Sequence, residues 1–319
     1  MAEPIAAREA QQGHGAARFS FELYPPRTAE AAAALQTSLD HLIGAGPEFV
    51  SVTYGANGSS RGFSLGVLEQ LIGRGVTPMA HLTCVGSSYS AASALIREFL
   101  DAGITSFLAL RGDPPAGAEE GDEFLDDLCS AAELVQLIHR VHAERVPFVQ
   151  TPVPGFPGTC RLTHREKVTI AVAAFPNGHP RSRSIAQDLD ALLAKQAAGA
   201  TLAISQLFFE ADDFLGFVDR ARAAGVTMRI LPGVMPVLSA ARLRRIVELT
   251  GETLPTGLLH DLESADDPAA VGIAHASELA RRLLDGGASG LHLYTFNRHE
   301  APLAVLGSVG LLDPVRTSA

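Results

Sequence analysis

The chain contains no tryptophan, 4 tyrosines, 3 cysteines and 2 lysines, and each shortage removes a class of chemistry. Cys84, Cys129 and Cys160 are far apart, odd in number and without CxxC spacing, so neither a disulfide framework nor a zinc site is expected. A Schiff-base aldolase needs a lysine projecting from a strand end, whereas Lys167 precedes a strand pattern and Lys195 lies inside a helical one. Positive charge is scarce too. Lys plus Arg total 25 against 35 Asp plus Glu, and a net charge of −10 argues against a nucleic-acid partner. No apolar run approaches the ~18 residues of a membrane span, and the first residues lack the basic-then-apolar layout of an export signal. No membrane partner is expected, and the cytoplasm is the expected location. Metal-dependent barrel hydrolases usually carry His-x-His on the first strand, where this chain has Phe19-Ser20-Phe21-Glu22. His139 and His142 stand three apart, but no carboxylate completes a site and a solvated helix face explains them better. No metal is expected.

What is abundant is apolar material: 47% of residues, with a charged fraction of 19%, below the roughly 25% of an average domain. Short β-branched and apolar runs alternate with longer stretches of helical periodicity. The spacing predicts strands at Arg18–Leu23, Phe49–Thr53, Pro78–Thr83, Ser106–Leu110, Val168–Ala173, Leu202–Ser205, Arg229–Leu231 and Gly290–Tyr294. Helices are predicted at Ala29–Ile43, Ser90–Ala102, Ala131–His142, Ile185–Ala198, Ala211–Ala224, Ala240–Leu249 and Ala269–Leu284. Strand–helix alternation with eight strands predicts an α/β fold of the (β/α)8 TIM-type. An open doubly wound sheet is the alternative, and the absence of GxGxxG after any strand counts against it. Residues 18–310 are read as one catalytic barrel, with a flexible N-terminal tail over 1–17 and a C-terminal tail over 311–319. The stretch 145–165 holds four prolines and is expected as a long inserted loop between the fourth helix and the fifth strand.

In a barrel, reacting groups project from the C-terminal ends of strands. Those positions are polar here: Glu22 before Tyr24, Thr53-Tyr54, His81 and Thr83, Arg111-Gly112-Asp113, Ser205-Gln206, and Tyr294 followed by Asn297 and Arg298. Taken singly, a polar residue after a strand is as readily a cap or a turn residue. Glu22 is harder to dismiss. It sits inside the apolar run FSFEL, where a carboxylate is costly unless paired or protonated, and it is the best acid candidate. Arg111 and Asp113 read equally as a structural ion pair about Gly112, and His81 equally as a satisfied core histidine.

Six ordered motifs then carry a resemblance: FSFELYPPRT at 19–28, FVSVTYGANGSSR at 49–61, HLTC at 81–84, LALRGDPP at 108–115, PGVMPV at 232–237 and LHLYTFNR at 291–298. With AFPNGHP at 174–180 and the run from Asp188 through Lys195 to SQLFFE, the chain resembles the methylenetetrahydrofolate reductase family, as a bacterial, catalytic-domain member. The resemblance implies FAD at the barrel mouth and ping-pong transfer of hydride from NADH or NADPH to 5,10-methylenetetrahydrofolate. It implies Glu22 as the general acid that protonates the leaving nitrogen, its proton retained by apolar surroundings. It places Asp113 near flavin and folate, Gln206 on pterin and nicotinamide alike, and Tyr294 and Arg298 on the folate. On the flavin it places Thr53, Tyr54, Ala56, His81, Arg111, Gly112, Asp113, Phe175, His179, Asp188 and Lys195. Lys195 becomes a cation for the FAD phosphates, with a surface lysine as the competing reading.

The pattern departs from the family at Ala191, Ala194, Phe124-Leu125 and Phe175, each removing a hydrogen-bonding option, and Arg242 replaces a folate-contacting Gln. The insertion is expected to cover the flavin edge of the mouth. A homo-oligomer is expected, and control by S-adenosylmethionine is not, for want of a regulatory extension. The alternative function is a folate-binding one-carbon transferase on a similar barrel without redox chemistry.

Overall fold

The computed structural model describes residues 17–26, 28–53, 61–113, 125–145, 148–164 and 167–312. Its strands in chain order are β1 (Arg18–Leu23), β2 (Val50–Val52), β3 (Pro78–Thr83), β4 (Ser106–Leu110), β5 (Phe148–Pro152), β6 (Cys160–His164), β7 (Thr169–Ala174), β8 (Leu202–Leu207), β9 (Arg229–Val234) and β10 (Gly290–Tyr294). All but β5 and β6 pair in parallel and in chain order, and β10 returns to β1 to close an eight-stranded barrel. Its helices are α1 (Ala29–Gly44), α2 (Arg61–Gly73), α3 (Tyr89–Asp101), α4 (Ala131–Arg145), α5 (Ile185–Ala197), α6 (Ala211–Ala223), α7 (Ala240–Thr250), α8 (Thr256–Ser264), α9 (Pro268–Asp285) and α10 (Glu300–Ser308). Thr28, Ser88, Ser184, Ser239 and Asp267 each accept a backbone N–H of the helix they precede, satisfying donors that have no intrahelical partner.

The period-2 alternation of each strand decides what faces the axis. Phe19, Phe21 and Leu23 join the large outer cluster beneath the helices, which leaves Ser20 and Glu22 for the interior. Register carries that face around the barrel: Ser20 lies beside His292, and Glu22 lies beside Tyr294 and Ser51. Lower in the barrel the interior is apolar, a separate buried cluster of Phe49, Met79, Leu108, Ala171, Leu202, Ile204 and Leu231. Truncating Phe49, which is fully buried, to alanine should cost about 3–5 kcal/mol. The barrel floor is closed by charge. Arg229 donates from Nη1 to both Glu48 oxygens at 2.9 and 3.0 Å, and Arg18 reaches the same carboxylate at 3.4 Å.

Three helices, α2, α8 and α10, were outside the periodicity reading. The segment expected as a long loop carries instead an antiparallel hairpin of β5 and β6, registered from Phe148 opposite His164 to Pro152 opposite Cys160. Its place corrects the expectation that it covers the flavin edge. It connects the end of α4 to the start of β7, so it is rooted at the N-terminal rim, opposite the mouth. None of its described residues lines the mouth cavity described below.

Candidate active site

The C-terminal strand ends surround a cavity of about 720 Å³. β1 contributes Glu22, the end of β2 contributes Thr53, and β3 contributes His81. Arg111, Gly112 and Asp113 enter after β4, Phe175 and His179 after β7, and Asp188 and Lys195 from α5. Gln206 and Tyr294 close the ring. The structure therefore brings most of the predicted residues to one wall or another of a single space. Arg298 does not line it: the residue is exposed, and its backbone N–H donates to Thr295 at 3.0 Å. Tyr54 and Ala56 lie outside the described residues.

Glu22 forms the centre of the deepest part. It is 8% exposed, and its Oε2 lies 3.8 Å from Nε2 of both His81 and His292. Those distances are too long for hydrogen bonds, and both Nε2 atoms are buried without a partner among the described residues. Ser20 Oγ meets His292 Nδ1 at 2.8 Å and fixes that ring from behind. Burial pushes the Glu22 carboxyl up. The imidazoles of His292 and His81 and the Tyr24 hydroxyl act the other way and lower it. Burial also pushes His81 down, toward a neutral ring at pH 7. The strand is apolar, but the side chain itself meets two imidazoles and a phenol from the strands and loops around it.

The opposite wall is cationic. Lys195 Nζ donates to the Ala173 carbonyl at 2.9 Å, placing the amine at the end of β7 rather than on the outer surface. Burial, with the nearby Arg111 charge acting in the same direction, lowers Lys195 to about 8 despite the opposing charge of Asp188. Arg111 and Asp113 form no ion pair among the described residues, so the structural-pair reading falls. Between them Gly112 has φ of 87°, and a Cβ there would lie 2.6 Å from Val85 Cγ2, which is why this turn is built on glycine. Asp188 is spent on the β7–α5 connection, accepting from Ser182 Oγ and from His179 N–H. Burial and the Arg111 charge lower His179, whose ring meets Phe175 edge-on at 4.7 Å.

Gln206 sits at a bulge in β8 where its Oε1 accepts the Leu207 N–H at 2.9 Å. Its Nε2 faces no partner among the described residues. Tyr294 donates to the Ser205 carbonyl at 2.8 Å across Gly233, where any Cβ would lie 2.5 Å from that carbonyl oxygen. His139, by contrast, is structural: its Nε2 meets the Gly199 carbonyl oxygen at 3.1 Å.

Sequence reasoning named His81 and Glu22, gave Asn297 only as a polar residue following Tyr294, and missed His292 and Ser20. The last two were signalled by polar residues at alternate positions of apolar strands, Ser20 with Glu22 and His292 with Tyr294. Their meeting depends on closure of the barrel, which pairs residues more than 270 apart in sequence.

Residues 7–310 match the sequence model of the methylenetetrahydrofolate reductase family. The chain is 31% identical over 302 residues to the 5,10-methylenetetrahydrofolate reductase of Escherichia coli K12, covering 93% of this chain and 92% of that protein. It is 33% identical to the probable methylenetetrahydrofolate reductase (NADPH) of Caenorhabditis elegans, over 92% of this chain and 42% of that one. A solved Clostridium thermocellum protein, uncharacterized and binding two copies of 5-methyl-5,6,7,8-tetrahydrofolic acid, aligns with a TM-score of 0.60. The alignment covers 96% of this chain and 97% of that one at 11% identity, a likeness of fold. A buried carboxylate at the mouth of a (β/α)8 barrel, six ordered motifs and a match across nearly the whole sequence place this chain in the methylenetetrahydrofolate reductase family.

Proposed function

We propose that this protein reduces 5,10-methylenetetrahydrofolate to 5-methyltetrahydrofolate with NADH or NADPH, through FAD held in the mouth cavity. The observation that carries the reading is the pairing of Glu22 with two imidazoles on one side of the cavity and two cations on the other. Arg111 and Lys195 stand close enough for the Arg111 charge to depress the amine, and neither is ion-paired among the described residues. Two unneutralised cations in a partly buried space favour a polyanion such as a dinucleotide diphosphate. The buried Thr53 hydroxyl, without a partner among the described residues, adds a free donor. Lys195, Arg111, Thr53 and the His179 loop would hold the cofactor, and when bound the flavin supplies a two-electron hydride carrier.

Glu22 acts on the folate. Ring opening breaks the bond between the methylene carbon and its leaving nitrogen, and the Glu22 proton goes to that nitrogen. The carbon, now a 5-iminium cation, receives the hydride and becomes the methyl group. Gln206 offers its free amide N–H₂ to the pterin, and Asp113 favours the developing cation. Glu22 gives its proton in this folate step, while the hydride-donor step needs none from it.

The test is the absorbance of FAD-incubated, desalted protein, followed anaerobically. Flavin bands should bleach with NADH or NADPH and return on adding the folate. A colourless protein that oxidises no pyridine nucleotide would overturn the reading in favour of a folate enzyme without redox chemistry.

A further inference from the structure

The connection after β10 carries two successive non-glycine residues in left-handed backbone, Phe296 with φ of 50° and Asn297 with φ of 61°. For a bulky aromatic residue that region is an outlier, and it persists only where neighbouring contacts over-determine it. They do so here. Asn297 Oδ1 accepts the Tyr24 N–H at 2.8 Å, and its Nδ2 donates to the Tyr24 carbonyl at 2.8 Å. The Asn297 N–H donates to Thr295 Oγ1 at 3.1 Å, and that hydroxyl, buried, donates to the Glu22 carbonyl at 2.7 Å. The β1–β10 register ends with Glu22 beside Tyr294, so these side chains continue the pairing where the strands stop. The same backbone places the Phe296 ring against Tyr24 at 5.7 Å, with the Arg242 guanidinium 4.4 Å from its centroid.

We propose that Asn297 is a positioning residue that fixes the backbone on the carboxyl-terminal side of Glu22 and thereby aims the Glu22 carboxyl at the folate. The role rests on the reduction reading above. Nothing in the loop needs an amide side chain for the turn alone, since glycine adopts the same φ without strain. The amide is needed because it both donates and accepts, as a strand would. Arg242 and Phe296 then cap Tyr24, whose hydroxyl is one of the groups acting on Glu22.

Asn297→Gly keeps the backbone conformation and removes the clamp, while Asn297→Asp keeps the acceptor and loses the donor. A displacement of about an ångström at a reacting group costs on the order of 100-fold in rate. Reoxidation of the reduced flavin by the folate should therefore fall about 10- to 100-fold in Asn297→Gly and less in Asn297→Asp. Flavin reduction by NADH, the flavin spectrum and the melting temperature should stay near wild type. Amide exchange over residues 18–26 should rise in Asn297→Gly, a readout independent of turnover. In a Glu22→Gln background the same substitution should change the residual rate less than about twofold, because it acts through the missing acid.

Equal losses in both backgrounds, parallel loss of the NADH step, or an Asn297→Gly variant indistinguishable from wild type would each overturn the role. A wild-type protein that fails the flavin test would overturn the reduction reading, and this role with it. A wild type that passes beside an unaffected variant would overturn the role alone.

Discussion

The two ends of the barrel each hold a nearly buried glutamate, and they treat it in opposite ways. At the floor the Glu48 side chain is 2% exposed and fully met, with Arg229 on both oxygens and Arg18 beside it. At the mouth the Glu22 side chain is 11% exposed and faces imidazoles 3.8 Å away whose Nε2 atoms have no partner among the described residues. A buried carboxylate bracketed by guanidinium groups is fixed in place, which suits a structural tie. One whose imidazole neighbours stand beyond hydrogen-bond reach keeps its oxygens open to a substrate, which suits an acid.

The sharpest way to break this contrast is at the floor. Glu48→Ala removes the buried carboxylate that Arg229 and Arg18 share and should cost about 3–5 kcal/mol of stability by denaturant unfolding, with the folded fraction keeping its activity. If stability held and catalysis fell, the assignment of the two ends would be reversed. Gly233→Ala pushes a Cβ against the Ser205 carbonyl and the Tyr294 ring, and should cost about 1–3 kcal/mol through overpacking. Thermal unfolding together with the folate KM checks this, and both should worsen.

Lys195 sharpens the contrast by pH. With its value lowered to about 8, the amine is charged below that pH and neutral above it. FAD affinity should therefore weaken as pH rises from 7 to 9. Lys195→Met should weaken binding about tenfold at pH 7, roughly one charge-assisted hydrogen bond, and abolish the pH dependence. Fluorescence titration of the flavin reads both. The smallest effect is expected from removing the β5–β6 hairpin. It is rooted at the floor, so FAD affinity and the folate KM should not change, and a loss in either would return the hairpin to the mouth.

Much of the barrel was legible because each buried strand reads as an apolar run and each helix as a periodic one. The three helices that were not legible show why. α2 carries Gly62, Gly66 and Gly73, which weaken helix propensity, and α10 is apolar nearly all round, with Pro302 and Gly307 inside it. α8 is only 9 residues long and follows Pro255. The hairpin was masked by its prolines, one of which ends β5. At the site, Glu22 stood out as a charge in an apolar strand. Its environment did not, because His292 reaches it, and Asn297 reaches Tyr24 two residues on, only through the closure of β10 on β1, a contact no local pattern encodes.

The central claim is that Glu22 supplies the proton to the folate and nothing to the first hydride transfer. Stopped-flow measurement of the two half-reactions in Glu22→Gln tests it most directly. Reduction of the flavin by NADH should proceed at close to the wild-type rate, while reoxidation by 5,10-methylenetetrahydrofolate should slow by about 10²- to 10⁴-fold, the usual contribution of a general acid. Equal slowing of both half-reactions, or an unchanged folate step, would contradict the account.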